Sequence, residues 1–85
     1  SLEDNSSSID IYPNPATLFI NIESINNIDE IRIFDIQSRI VNSEKLNSKK
    51  GTIDVSNFSD GVYFMEIQTN NFILRKEFVI YNESK

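Results

Sequence analysis

The sequence predicts one small all-β domain, an antiparallel β-sandwich of the immunoglobulin-like type with about seven strands. Apolar residues alternate with polar residues along most of the chain, which is the period of a strand and not of a helix. The apolar runs are rich in Ile, Val and Phe and recur at a spacing of roughly 8 to 12 residues. A chain of 85 residues, 39% of them apolar, is long enough for a single domain with a small core.

The amino-terminal part predicts a linker followed by two short strands. Residues 1–8 are almost wholly polar and include three consecutive serines, which is typical of a flexible linker, so the folded domain is expected at residues 9–85. The first strand, Ile9 to Tyr12, is expected to stop at Pro13 because proline has no N–H to donate to a sheet. Alternation resumes over Leu18 to Ile22, the second predicted strand.

The middle of the chain predicts three more strands. Ile31 to Ile36 changes parity part-way, which indicates a bulge or a strand covered on both faces. Arg39 to Lys45 and Thr52 to Val55 are shorter candidates. The next segment, DVSNFSDG, offers carboxylates but has its glycine, Gly61, at the eighth position instead of the sixth position of a calcium loop. We interpret it as a turn with Gly61 in a conformation closed to other residues.

The last two predicted strands form a hairpin. Tyr63 to Ile67 and Phe72 to Tyr81 flank Asn70-Asn71, which we expect to make a two-residue turn because Asn tolerates positive φ. Lys76 shares the parity of the apolar residues in the last strand. A lysine there must extend its amine to the rim, pair with a carboxylate or mark a bulge, and the first interpretation is favoured.

Composition excludes several kinds of protein. The chain has no Cys and no His, which rules out thiolate and imidazole metal sites and the Ser-His-Asp and Cys-His catalytic arrangements. The net charge of −5 argues against nucleic-acid binding, and no apolar run approaches the ~20 residues needed for membrane insertion. We interpret the carboxylates of Asp29, Glu30, Asp54 and Asp60 as solvated charges. The sequence therefore predicts no enzyme, no metal and no cofactor.

Aromatic residues leave an alternative open. Without any Trp, the possible sugar-stacking platforms are Tyr12, Phe19, Phe34 and Tyr81. Core or rim packing is the favoured interpretation for most of them. An adhesive or carbohydrate-binding accessory β-sandwich is therefore kept as the alternative function.

Four short segments, taken in order, carry a resemblance to a known family. They are YPNP at Tyr12 to Pro15, IRIFD at Ile31 to Asp35, IDVS with GVYF at residues 53–64, and KEFV at Lys76 to Val79. In their order and spacing the chain resembles, over Ile9 to Tyr81, the type A C-terminal sorting domain of the type IX (Por) secretion system of Bacteroidota. The sorting motifs carry over to Pro13, Asn14, Pro15, Gly61, Tyr63, Lys76, Phe78 and Val79.

The resemblance implies a non-catalytic secretion signal. Such a domain directs an attached upstream cargo from the periplasm through the type IX translocon, and a cell-surface sortase-like peptidase commonly removes it, leaving the cargo released or anchored at the outer-membrane surface. The last hairpin is the expected recognition surface, because its edge strand could receive another strand. In one departure, Ser38 stands where the family usually carries Gly after the Asp35 turn, so the turn needs another geometry or a serine at positive φ.

Overall fold

The computed structural model describes residues 8–81 and contains one sheet of five antiparallel strands, which confirms the all-β prediction. In sheet order β1 pairs with β2, β2 with β4 and β4 with β5, while β3 follows the other edge of β2. None of the described residues forms a helix long and apolar enough to cross a membrane. The predicted linker lies, except for Ser8, outside the described residues. The strands are β1 (Ile9–Tyr12), β2 (Phe19–Phe34), β3 (Ile40–Asp54), β4 (Gly61–Thr69) and β5 (Ile73–Ile80).

The predicted count of about seven strands is wrong, because two pairs of predicted strands are continuous. Leu18 to Ile22 and Ile31 to Ile36 overlap the two ends of β2, and the next two candidates overlap the two ends of β3. The connecting sequences, ESINNIDE and LNSKKG, lose the alternation of apolar and polar residues. Their backbones nevertheless stay paired across shifts of register, which a periodicity argument does not detect.

The long hairpin of β2 and β3 bends in the middle. A straight 16-residue strand would span about 50 Å, whereas the longest dimension of the molecule is 44 Å. The register between the two strands shifts between Glu23 and Ile28 and again between Ile28 and Glu30, and opposite the second shift Asn47 has a φ of 50°. The bend is therefore a bulge in which an asparagine takes the left-handed conformation that this residue tolerates. A further shift lies between Ile33 and Phe34, which agrees with the bulge, the first of the two alternatives that the change of parity indicated there.

The core is one apolar face of the bent sheet. Its residues alternate along each strand and join into a single cluster. An apolar sheet face must be covered, and the buried residues of both halves of the sheet belong to this one cluster. The buried apolar residues, none more than 8% exposed, are Ile9, Ala16, Ile20, Ile22, Ile28, Ile31, Ile33, Ile53, Val55, Tyr63, Met65, Ile67, Phe78 and Ile80.

The turn of the last hairpin differs from expectation in how it is held. The Asn70-Asn71 turn is present, but neither asparagine has positive φ. Instead, Thr69 Oγ1 accepts hydrogen bonds from the N–H groups of Asn71 and Phe72, both at 3.1 Å. The hydroxyl of Thr69 therefore organises the turn that the asparagines were expected to shape.

The turn between β2 and β3 uses a serine at positive φ. Ser38 has a φ of 66°, a conformation that glycine adopts without steric cost. Asp35 Oδ1 accepts the N–H groups of Arg39 at 3.0 Å and Gln37 at 2.8 Å, and its Oδ2 accepts from the Arg39 guanidinium at 2.9 Å. These bonds, led by the Arg39 N–H, lower the pKa of Asp35. Its carboxylate thus holds a turn whose backbone conformation does not suit serine.

Candidate functional site

The proline-rich segment after β1 lies against the outer edge of β5. Asn14 Oδ1 accepts the N–H of Val79 at 3.0 Å. The backbone of Ala16 donates to the Val79 carbonyl at 2.8 Å and accepts from Tyr81 N–H at 2.9 Å. Two predicted motifs that are 65 residues apart along the chain therefore bind each other directly.

The prolines of that segment end β1 as the sequence predicted. The strand stops at Tyr12, immediately before Pro13, and both X-Pro peptide bonds are cis. Pro13, Asn14 and Pro15 are all exposed, while Ala16 is fully buried. The segment is thus a surface loop whose last residue inserts into the core beside β5.

Tyr63 closes the corner where β4 begins. Its hydroxyl donates to the Ser59 carbonyl at 2.7 Å. Its ring lies 5.3 Å from that of Phe58 and 5.9 Å from that of Phe78, centroid to centroid. Burial, followed by the charges of Asp35 and Asp60, raises the pKa of Tyr63. The hydrogen bond and the two ring contacts fix the side chain of Tyr63 at the start of β4.

Gly61 leads the chain into this corner. Its φ of 151° is a conformation that side-chain-bearing residues rarely adopt, which confirms the turn predicted from the sequence. A Cβ at this position would meet no atom within 4 Å. The requirement for glycine is therefore conformational and not steric, and the glycine and Tyr63 together set the direction in which β4 leaves the turn.

The last motif places alternate residues on two sides of β5. Phe78 is fully buried opposite Tyr63, and Val79 is half-buried at the edge beside Asn14. Lys76 lies opposite Met65, half-buried on the core side, with no shift of register between β4 and β5. It forms none of the ion pairs among residues 8–81. Its stem therefore packs at the margin of the core and its amine extends to the rim.

Five of the eight predicted motif residues converge on this corner, which we call the motif corner: Asn14, Gly61, Tyr63, Phe78 and Val79. Lys76 lies two residues before Phe78 on β5. Pro13 and Pro15 are exposed on either side of Asn14. The residues meet because the loop after β1 bonds one edge of β5 while β4 pairs with the other. Their role in sorting stays a prediction.

The edge of β5 next to the motif corner has main-chain groups available for pairing. Val79 and Tyr81 direct their main-chain groups away from β4, towards Asn14 and Ala16. These directions alternate along an antiparallel pair, so Ile73, Arg75 and Glu77 also point theirs outward. No other described residue binds these groups. We call the outward N–H and C=O groups of Ile73, Arg75 and Glu77 the β5 edge.

Sequence reasoning missed the cluster of side chains beside the β5 edge. The Arg75 guanidinium lies 4.9 Å from the ring centroid of Phe34 and 5.9 Å from that of Phe64. Its Nη2 is 3.8 Å from Glu66 Oε2, and Arg32 Nη1 is 3.3 Å from Glu66 Oε1. The alternation along the strands could have indicated this cluster, because its side chains all face away from the core; they are Arg32, Phe34, Phe64, Glu66 and Arg75. Stacking and pairing hold Arg75 in one orientation at the edge.

The fold and the motif corner define a small all-β domain built on one bent antiparallel sheet. The family model of the secretion system C-terminal sorting domain matches residues 10–81. The chain belongs to this family, the C-terminal sorting domains of type IX secretion, and the resemblance drawn from the sequence is confirmed.

Comparison with solved structures supports the fold. A structure of PorZ, an essential bacterial surface component of the type IX secretion system of Porphyromonas gingivalis, is similar with a TM-score of 0.74 and 13% identity. The match covers 92% of this chain and 12% of that chain, so this domain corresponds to a small part of the larger protein. At that identity the likeness shows the fold alone. No curated protein matches the chain.

Proposed function

We propose that this domain is a non-catalytic C-terminal secretion signal that directs an attached upstream cargo across the outer membrane through the type IX translocon. The observation that carries the proposal is the family match over residues 10–81. In this proposal the cargo crosses the periplasm and reaches the cell surface or the medium. A cell-surface sortase-like peptidase then removes the domain, and the cargo is released or anchored.

We further propose that the bent sheet is an immunoglobulin-like sandwich of two layers. The bend in β2 and β3 and the single core cluster that joins both halves of the sheet support this assignment. The hydrogen bond from the Tyr63 hydroxyl to the backbone four residues upstream, which is typical of the tyrosine corner of sandwich domains, supports it as well. In such a fold the motif corner is a structural joint. Its residues fix the position of β5 relative to the first connection of the chain.

The surface that we propose for recognition is the β5 edge. Unpaired strand edges bind extended segments through main-chain hydrogen bonds, which suits a signal that must work on unrelated cargoes. Asn14 and Ala16 cover the same edge only at Val79 and Tyr81, and so leave Ile73 to Glu77 open. Arg75, held by Phe34 and Glu66, and the rim amine of Lys76 add positive charge beside it.

A single substitution separates recognition by the backbone from recognition by side chains. Glu77→Pro removes one outward N–H of the β5 edge without removing a bond to β4, which is the position where proline is tolerated in an edge strand. Glu77→Ala removes the side chain and keeps the N–H. A periplasm-exported reporter fused upstream of residues 1–85 is produced in a type IX host, and the reporter in the medium and on the cell surface is measured.

We expect the wild-type and Glu77→Ala fusions to be exported and the Glu77→Pro fusion to accumulate in the periplasm. Thermal unfolding of the isolated domains checks that both variants fold. Export of a folded Glu77→Pro fusion at the wild-type level would refute the β5 edge as the recognition surface. Retention of the wild-type fusion in the periplasm would refute the secretion signal itself.

A further inference from the structure

The outer face of the other half of the sheet carries a group of aromatic and polar side chains. Ile20, Ile22 and Ile53 are fully buried, so the residues that alternate with them in β2 and β3 face away from the core. In register, Phe19 lies opposite Asp54, and Asn21 lies between Thr52 and Tyr12. We call the outward side chains here the Phe19 face: Tyr12, Phe19, Asn21, Glu23, Thr52 and Asp54.

Two depressions meet on the Phe19 face. The first, of about 420 Å³, is lined by Leu18, Phe19, Thr52, Asp54 and Ser56. The second, of about 250 Å³, is lined by Tyr12, Asn21, Ile22, Glu23, Lys50, Gly51 and Thr52. Thr52 lines both, so the two depressions adjoin, and we call them together the groove.

The polar groups in the groove are held in fixed orientations. Thr52 Oγ1 donates to Asn21 Oδ1 at 2.8 Å, which leaves the amide N–H groups of Asn21 without a partner among the described residues. Asp54 Oδ1 accepts the N–H of Ser56 at 2.9 Å and its hydroxyl at 2.7 Å, so Oδ2 remains available. A ligand would therefore meet preset donors and acceptors.

Large apolar side chains border these polar groups. Leu18, Phe19 and Tyr12 are 58%, 48% and 42% exposed, and the Tyr12 hydroxyl donates to Glu23 Oε2. An exposed ring beside an amide and carboxylates matches the two kinds of surface on a sugar, a C–H face and a rim of hydroxyl groups. The buried centre of a protein interface is instead depleted of charge.

We propose that the Phe19 face binds a neutral oligosaccharide. Glu23 and Asp54 outnumber Lys50 around the groove, and this excess of negative charge disfavours sulfated, phosphorylated or carboxylated glycans. The ring of Phe19 stacks on one sugar, and the Asn21 amide and the Asp54 carboxylate bind its hydroxyl groups. The site uses none of the residues of the β5 edge, so it is independent of the proposed secretion signal.

The test is a titration of the ¹⁵N-labelled 85-residue chain followed by NMR. The probes are cellohexaose, mannohexaose and xylohexaose, with a heparin hexasaccharide as the anionic comparison. We expect at least one neutral probe to give saturable shifts at the amides of Phe19, Asn21 and Thr52. Phe19→Ala should weaken binding at least about tenfold, whereas Ile73→Ala, at an apolar side chain 63% exposed on β5, should leave it unchanged.

Thr52→Val provides a second variant in case Phe19→Ala does not fold. It keeps the shape of the side chain and removes the bond that orients Asn21, so we expect weaker binding and an unchanged spectrum elsewhere. The proposal is overturned if no neutral probe gives saturable shifts, if the folded variants bind as the wild type does, or if heparin binds more tightly. Export of the Phe19→Ala reporter fusion at the wild-type level is expected, because sorting and sugar binding use different surfaces.

Discussion

Ser38 illustrates how one residue can work against the turn that contains it. With a φ of 66° it occupies the left-handed region, which costs an L-residue other than Asn, Asp or Gly about 1 kcal/mol or more. Its side chain is exposed and forms no hydrogen bond among the described residues. The turn persists because Asp35 binds the backbone of both Gln37 and Arg39.

We expect Ser38→Gly to raise the free energy of unfolding by about 0.5–1 kcal/mol, since the relief of an unfavourable φ exceeds the added freedom of glycine in the unfolded chain. Urea unfolding at a fixed pH measures the change. Asn47→Gly is the matched control, because Asn47, at a φ of 50°, already tolerates this region. A gain at Asn47 as large as that at Ser38 would contradict the explanation.

Single residues also show which local features of the structure could be predicted from the sequence. The turn conformation of Gly61 and the halt of β1 at Pro13 followed from backbone chemistry that belongs to those residue types. The asparagines of the last hairpin did not behave as expected, because Thr69, a neighbour within strand β4, provides the hydroxyl that binds the turn. Such a bond depends on a side-chain rotamer that the sequence does not display.

At the scale of elements, β5 is held from both sides by different kinds of bond. β4 supplies a full ladder on one side, whereas the loop after β1 supplies the Asn14 side chain and the backbone of Ala16 on the other. Of these bonds, only the one accepted by the Asn14 side chain can be removed by a substitution. It ties the amino-terminal motif to the carboxyl-terminal motif.

We expect Asn14→Ala to lower the free energy of unfolding by about 1 kcal/mol, because the Val79 N–H loses its acceptor. Asn14→Asp keeps an oxygen at that position and should retain the stability at neutral pH. Urea unfolding gives the free energies, and hydrogen exchange of the Val79 amide should accelerate in the alanine variant alone. Equal losses in the two variants would show that the amide nitrogen of Asn14, and not its oxygen, makes the stabilising contact.

The elements themselves were predictable in type and in part in extent. The alternation of apolar and polar residues located the parts of the strands that carry regularly spaced Ile, Val and Phe. It also located the hairpin of β4 and β5. It could not show that β2 and β3 run unbroken through their polar centres, since bulged backbone pairing does not depend on side chains. The motif corner could not be predicted either, because the motif that contains Asn14 and the one that contains Val79 lie 65 residues apart along the chain and meet only in the folded domain.

At the scale of the whole molecule, the carboxyl-terminal strand is part of the core as well as the proposed signal. Phe78 and Ile80 are 0% and 1% exposed, and Val79 anchors the loop from the other end of the chain. Replacing such residues by alanine typically costs about 2–5 kcal/mol each, while small domains have total stabilities of about 5–15 kcal/mol. The strand therefore cannot be removed without consequence for the fold.

We expect a chain that ends at Leu74, without residues 75–85, to be unfolded, with a circular dichroism spectrum and NMR dispersion of a disordered polypeptide. The 85-residue chain provides the folded reference, and Glu77→Pro should resemble it. A dispersed NMR spectrum from the shortened chain would contradict this expectation and would show that four strands suffice. If the expectation holds, loss of export after such a deletion reports loss of the domain, and recognition by the β5 edge must be judged from point variants that fold.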